Sequence, residues 1–252
     1  MIISHDVTGS GPAVLLLHST VCDRRMWDAQ VPALVAAGRR VIRCDLRGYG
    51  ETPMPDGPHN NAQDVVDLLD RLGIERTALV GASGGGRVAL ELAARWPDRV
   101  TALALLCTAL AGQETSSELR KFGELEDSLL EAGDIAGATD LNVDTWLGPD
   151  ATPAAREAVR RMQRHAFDVQ LAATEEYEPV RVEFDLAAIT APTLLVSGSH
   201  DLPDFRRIAD HLATRLPDAR HLELPWAGHL PNLERPDAVN TLLSDFLHGT
   251  PA

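Results

Sequence analysis

Short apolar runs alternate with longer stretches of helical periodicity along much of this chain. That rhythm predicts βαβ units and a mainly parallel sheet. Val14 to Leu17 reads as a strand, followed by a helix over Met26 to Ala37. Arg40 to Cys44 is the next strand, ending in the turn-rich loop Asp45-Leu46-Arg47-Gly48-Tyr49-Gly50. Val65, Val66, Leu68, Leu69 and Leu72 mark one face of a helix over Asn61 to Leu72, stopped at Gly73. Thr77 to Val80 and Val100 to Leu106 read as buried strands.

The pattern then changes. From Ala109 to Ile189 only helical pieces appear, with Ser117 to Leu130, Ile135 to Leu147 and Pro153 to Tyr177 as the expected helices. Strands resume at Pro192 to Val196 and Ala219 to Leu224, with helices over Phe205 to Leu216 and Pro236 to Leu247. The expected organisation is an α/β core from residues 1–108 and 190–252. Residues 109–189, about 80 in all, are too long for a loop and read as a helical cap or lid inserted before the last two strands.

Composition narrows the function classes. The 252 residues suit one large domain, and 44% apolar with 24% charged residues is ordinary for a globule. A net charge of −14 argues against nucleic acid or an anionic membrane surface as partner. Cys22, Cys44 and Cys107 are odd in number and widely spaced, which suits neither a disulfide framework nor a zinc site. Residues Met1 to Gly11 lack a basic leader, and Ala13 to Leu17 is too short to span a membrane, so a cytoplasmic protein is expected. No cluster has metal-ligand spacing and no glycine-rich loop sits where a phosphate would be cradled; no cofactor is expected.

The candidate chemistry lies in Gly81-Ala82-Ser83-Gly84-Gly85, a Gly-x-Ser-x-Gly pentapeptide between the strand Thr77 to Val80 and the helix-like stretch Arg87 to Arg95. Strand, sharp turn and helix are the setting of a nucleophile elbow, in which the serine projects above the sheet. A serine hydroxyl needs a base, and the base needs a carboxylate to fix its tautomer. The loops after later strands supply both: Ser199-His200-Asp201 and Ala227-Gly228-His229. The order Ser83, Asp201, His229 is that of an α/β-hydrolase. Asp204 is the competing carboxylate and suits a helix start. His200 points away from the acid if the backbone is extended.

Over nearly its whole length the chain resembles the α/β-hydrolase superfamily. His18-Ser19-Thr20, Arg25 to Gln30, Asp45 to Gly50 and Ala227 to Pro236 are similar to the 3-oxoadipate enol-lactonase-like and carboxylesterase group. The resemblance implies an oxyanion hole made by the backbone N–H groups of Gly84 and Thr20, with Ser19 standing where glycine is usual and His18 bracing the loop. Trp27, Trp146 and Trp226 suit either the substrate pocket or the core. Arg25 and the Arg156, Arg160, Arg161, Arg164 run are candidate carboxylate clamps, and a solvated helix face is favoured for that run.

The function this implies is a serine hydrolase acting on a small-molecule ester or lactone. A C–C bond hydrolase or a cofactor-independent haloperoxidase (perhydrolase) would use the same three residues. A ligand-binding, receptor-like module with little turnover is the alternative from another class.

Overall fold

The computed structural model describes residues 2–175 and 177–249. Its sheet has seven strands: β1 (His5–Thr8), β2 (Ala13–Leu17), β3 (Arg40–Cys44), β4 (Thr77–Ala82), β5 (Val100–Leu106), β6 (Thr193–Gly198) and β7 (Ala219–Leu224). Their order is β1-β3-β2-β4-β5-β6-β7, all parallel except β1, which pairs antiparallel with β3. The direction of strand progression reverses between β2 and β4, which opens a crevice at the carboxyl ends of those two strands. The loop His18 to Thr20 leaves β2 and Ser83 leaves β4, so the crevice is where the candidate chemistry collects.

Nine α-helices are described: α1 (Gln30–Ala36), α2 (Asn61–Arg71), α3 (Gly84–Arg95), α4 (Ser117–Glu131), α5 (Ile135–Trp146), α6 (Pro153–Leu171), α7 (Pro203–Arg215), α8 (Pro231–Glu234) and α9 (Pro236–His248). The three helices α4 to α6 stand between β5 and β6, before the last two strands. Among the described residues no helix is long and apolar enough to cross a membrane.

Although β2 and β5 are almost wholly apolar, side chains alternate between two faces. Leu15, Leu17, Leu79, Leu103 and Leu105 pack with α2 and α3 residues such as Val65, Leu69, Leu90 and Leu92. Val14, Leu16, Val80, Ala104 and Leu194 face Leu34, Val239 and Leu243 on the other side. Val143, Trp146, Val159 and Met162 of α5 and α6 join this second layer, so the inserted helices are rooted in one of the two cores.

Three expectations differ from the structure. The helix over Met26 to Ala37 is instead a 3-10 turn, Arg24–Trp27, followed by α1, because the Asp23 side chain caps the backbone N–H of Arg25 at 2.9 Å. The helix to Tyr177 stops at Leu171, and from there to Asp185 the described residues form no helix or strand. Residue 176 of that stretch, and residues 1 and 250–252 of the expected core, lie outside the described residues. Strand β1 was not expected; four residues with only two partly buried carry too short an alternation to read.

Candidate active site

Ser83 sits at φ 51°, ψ −117°, a left-handed conformation that costs a non-glycine residue on the order of 1–3 kcal/mol. Its neighbours hold it there. The Ser83 N–H donates to the Leu106 carbonyl at 3.0 Å, and the Ser83 carbonyl accepts from Ala109 N–H at 3.0 Å and Arg87 N–H at 3.2 Å. The turn closes only because glycines flank it. A Cβ on Gly85 would lie 2.4 Å from the carbonyl oxygens of Leu17 and His18, and one on Gly84 would lie 2.5 Å from the Thr20 methyl.

The loops after β6 and β7 bring an acid and a base together. His229 Nδ1 lies 2.8 Å from Asp201 Oδ2, and both residues are buried. Asp201 Oδ1 accepts from Leu202 N–H at 2.7 Å. A carboxylate accepts, so Nδ1 carries the proton and Nε2 is left as the base. Asp204 is engaged elsewhere: its carboxylate accepts from the backbone N–H and the hydroxyl of Ser116 at the start of α4. His200 is exposed.

The segments that carry Ser83 and His229 both meet the end of β5, where Leu106 accepts from the Ser83 N–H. Cys107, the residue following that strand, lies with its Sγ 3.6 Å from the Gly228 carbonyl. Ligand atoms of Cys107, Asp201 and His229 lie within 4.8 Å of one another, a grouping that could hold a metal. Burial, with the Asp201 charge adding, pushes the Cys107 thiol well up, so it enters as a neutral thiol and a poor ligand. Among the described residues no hydrogen bond joins the Ser83 hydroxyl to His229. Contacts of this kind are often long in a resting site and close on substrate.

The loop after β2 is braced as the resemblance implies. His18 Nδ1 donates to the Ser19 carbonyl at 2.8 Å, and its Nε2 accepts from Leu46 N–H at 2.9 Å. Both bonds need a neutral ring, and burial lowers the pKa of His18 accordingly. The Ser19 carbonyl accepts from Cys22 N–H at 2.9 Å, closing the turn that carries Thr20. Thr20 is exposed and its side chain rests against Gly84, so the two candidate amides belong to adjoining segments.

The sequence reading missed Glu234. This buried carboxylate accepts from Gly228 N–H at 3.0 Å and from Gly148 N–H at 3.1 Å, tying the residue before His229 to the loop after α5. Burial raises its pKa. Beside it the His229 N–H donates to the Trp146 carbonyl at 2.9 Å, and the rings of Trp146 and Phe205 lie 4.7 and 4.1 Å from the imidazole. The one available signal was an acid directly after Leu230-Pro231-Asn232-Leu233.

Of the three candidate pocket residues, Trp146 touches His229 and Trp27 is fully buried in the core. Arg25 is paired with Asp23 at 2.6 Å and borders a surface depression with Glu51 and His165. None of the three borders the cavity of ≈ 310 Å³ that opens beside Gly84 and Thr20. Arg156, Arg160 and Arg164 are spent on Asp144, Asp140 and Asp168 along an exposed face.

A model of the alpha/beta hydrolase family matches residues 14–242. The solved enol-lactonase from Burkholderia xenovorans LB400 is 29% identical, with a TM-score of 0.79 over 98% of this chain and 96% of that one. A thermophilic esterase from Thermogutta terrifontis, solved with malate bound, is 27% identical with a TM-score of 0.78 over 98% and 93%. The Mycobacterium tuberculosis H37Rv protein named "Putative non-heme bromoperoxidase BpoC" is 27% identical over 97% of each chain.

Proposed function

The chain belongs to the alpha/beta hydrolase family, and from that premise we propose that it is a serine hydrolase of small carboxylic esters or lactones. The observation that carries this reading is the buried His229–Asp201 pair at 2.8 Å, in a chain whose Ser83 holds an elbow conformation. His229 Nε2 takes the Ser83 proton as the hydroxyl attacks the carbonyl carbon, and Asp201 stabilises the imidazolium. The amides of Thr20 and Gly84 hold the tetrahedral oxyanion; removal of one such donor costs about 10²–10³ in rate. The alcohol leaves with a proton from His229. Water, deprotonated by the same ring, then releases the acid from the acyl-enzyme. Helices α4 to α6 serve as the cap, with Trp146 excluding water from the imidazole.

The test is labelling of Ser83 by a fluorophosphonate together with turnover of p-nitrophenyl acetate. Ser83→Ala should remove both, with a loss on the order of 10⁴-fold or more in kcat. Asp201→Asn should cost about 10⁴-fold, whereas Asp204→Asn should act on stability rather than rate. Wild-type protein that takes no label and turns over no ester would point to a binding module. A second reading is suggested by the similarity to the protein named as a bromoperoxidase. There hydrogen peroxide replaces water on the same acyl-enzyme and yields a peracid, detected by bromide oxidation in acetate buffer.

A further inference from the structure

The cavity beside the elbow is bounded on one side by Thr20 and Gly84 and on the other by residues that chemistry at Ser83 does not use. Two arginines border it. Arg47 is fully engaged, its Nε and Nη2 each bonded to Asp64 at 2.7 Å. Arg87 is half-buried and, among the described residues, has no ion-pair partner. A guanidinium partly withdrawn from water gains most from a ligand that supplies a carboxylate in bidentate geometry.

The rest of the wall points the same way. Among the described residues Asn61 Oδ1 is an enclosed polar atom without a hydrogen-bond partner, and Asn61 and His59 both line this cavity. An unbranched hydrocarbon chain would leave the Asn61 oxygen unsatisfied; a hydrated polar group would not. His59 adds no charge of its own at neutral pH, because burial and the nearby Arg47 lower its pKa. The acid that shares the cavity, Glu178, is exposed and therefore screened by solvent, whereas Arg87 is not fully so. Arg87 follows Ser83 by four residues, one turn into α3, and shares the cavity wall with Gly84, the residue after the serine.

On the serine-hydrolase reading above, we infer that Arg87 determines specificity by binding a carboxylate carried on the substrate. The preferred substrates are then short esters that bear a free acid. The clamp is Arg87, on the core, and not Arg25 or the α6 arginines, which are already paired.

Two measurements test this. The first compares kcat/KM for monomethyl glutarate and 4-acetoxybutyrate with that for uncharged methyl pentanoate. The wild type should favour at least one charged ester. Arg87→Met should lower the charged-to-neutral ratio by about 10- to 100-fold, and Arg87→Lys should restore part of it. The second is equilibrium binding of monomethyl glutarate and methyl pentanoate to Ser83→Ala protein, which needs no turnover. Glu178→Gln in that background should tighten binding of the charged ester two- to fivefold and leave the neutral one unmoved, which keeps the test open if Arg87→Met does not fold.

Equal handling of charged and neutral esters, or a preference that survives Arg87→Met, overturns the inference. Ser83 labelling without a charge preference would sink this inference alone. Charge-dependent binding at Arg87 without labelling or turnover would sink the hydrolase reading and keep the anion site.

Discussion

The sheet with its flanking helices and the inserted helices α4 to α6 are stabilised in different ways. The central strands β2, β4, β5 and β6 bury runs of Leu, Val and Ala at essentially no exposure, and elbow glycines meet backbone atoms at distances a methyl group could not tolerate. Helix α4 has no buried residue, and the outer face of α6 is held by ion pairs between exposed groups. The insertion touches the candidate site through a few contacts: Trp146 on His229, and Gly148 through Glu234 to Gly228. The lesson is that the core fixes where the chemistry sits. Helices α4 to α6 reach it through few contacts.

The comparison breaks most sharply at the elbow. Gly85→Ala would set a methyl 2.4 Å from two carbonyl oxygens of the β2 end, and backbone cannot yield as a side chain can. A loss of about 3 kcal/mol or more is expected in urea unfolding. Activity should fall about 10²-fold or further in whatever protein folds, since Ser83 would shift.

Trp146→Ala tests the contact from the other side. It removes a nearly fully buried indole whose N–H donates to Asn142 at 2.8 Å and whose ring packs on His229. A cost of about 3 kcal/mol is expected, with kcat falling more than KM rises because the imidazole loses its support. An unchanged rate would mean that the insertion only roofs the site.

Glu234 ties the two regions, and its titration gives a smaller effect. Its folded-state pKa is raised by burial, so the native protein binds more protons than the unfolded chain above the ordinary glutamate range. Stability contributed by the neutral acid is therefore complete below that range and declines as pH rises through the elevated value. Relative to Glu234→Gln, the wild type should lose ground in thermal melts from pH 4.5 upward. Glu234→Ala should cost more than Glu234→Gln throughout, since two buried N–H groups lose their acceptor.

The smallest effect belongs to the insertion's outer face. Arg160→Ala breaks pairs with Asp140 and Glu157 in which every partner is at least 40% exposed. A change below about 1 kcal/mol is expected, vanishing in high salt. A larger loss would show that these pairs do hold the insertion together.

Much of this could be read without coordinates because the signals are local. An apolar run between turn residues, a helix ending at Gly73, and a serine between glycines all depend on neighbours close in the chain. The acid was harder, since Asp201 and Asp204 differ in sequence by only three places. Folding separates them by giving one to His229 and the other to Ser116, a partner 88 residues away. Helix α6 was drawn too long because Gln170 to Tyr177 carries no strong breaker until Pro179.

The strands β2 to β7 as segments, the elbow motif and the candidacy of Ser83, Asp201 and His229 could be read from the sequence alone, since period and turn chemistry act over a few residues. Only tertiary structure decided that Glu234 joins Gly148 to Gly228, that Arg25 is consumed by Asp23, and that Arg87 faces a cavity unpaired among the described residues. Whether a charged side chain is spent or free depends on what folding brings within hydrogen-bond reach, and no periodicity in the chain encodes that distance.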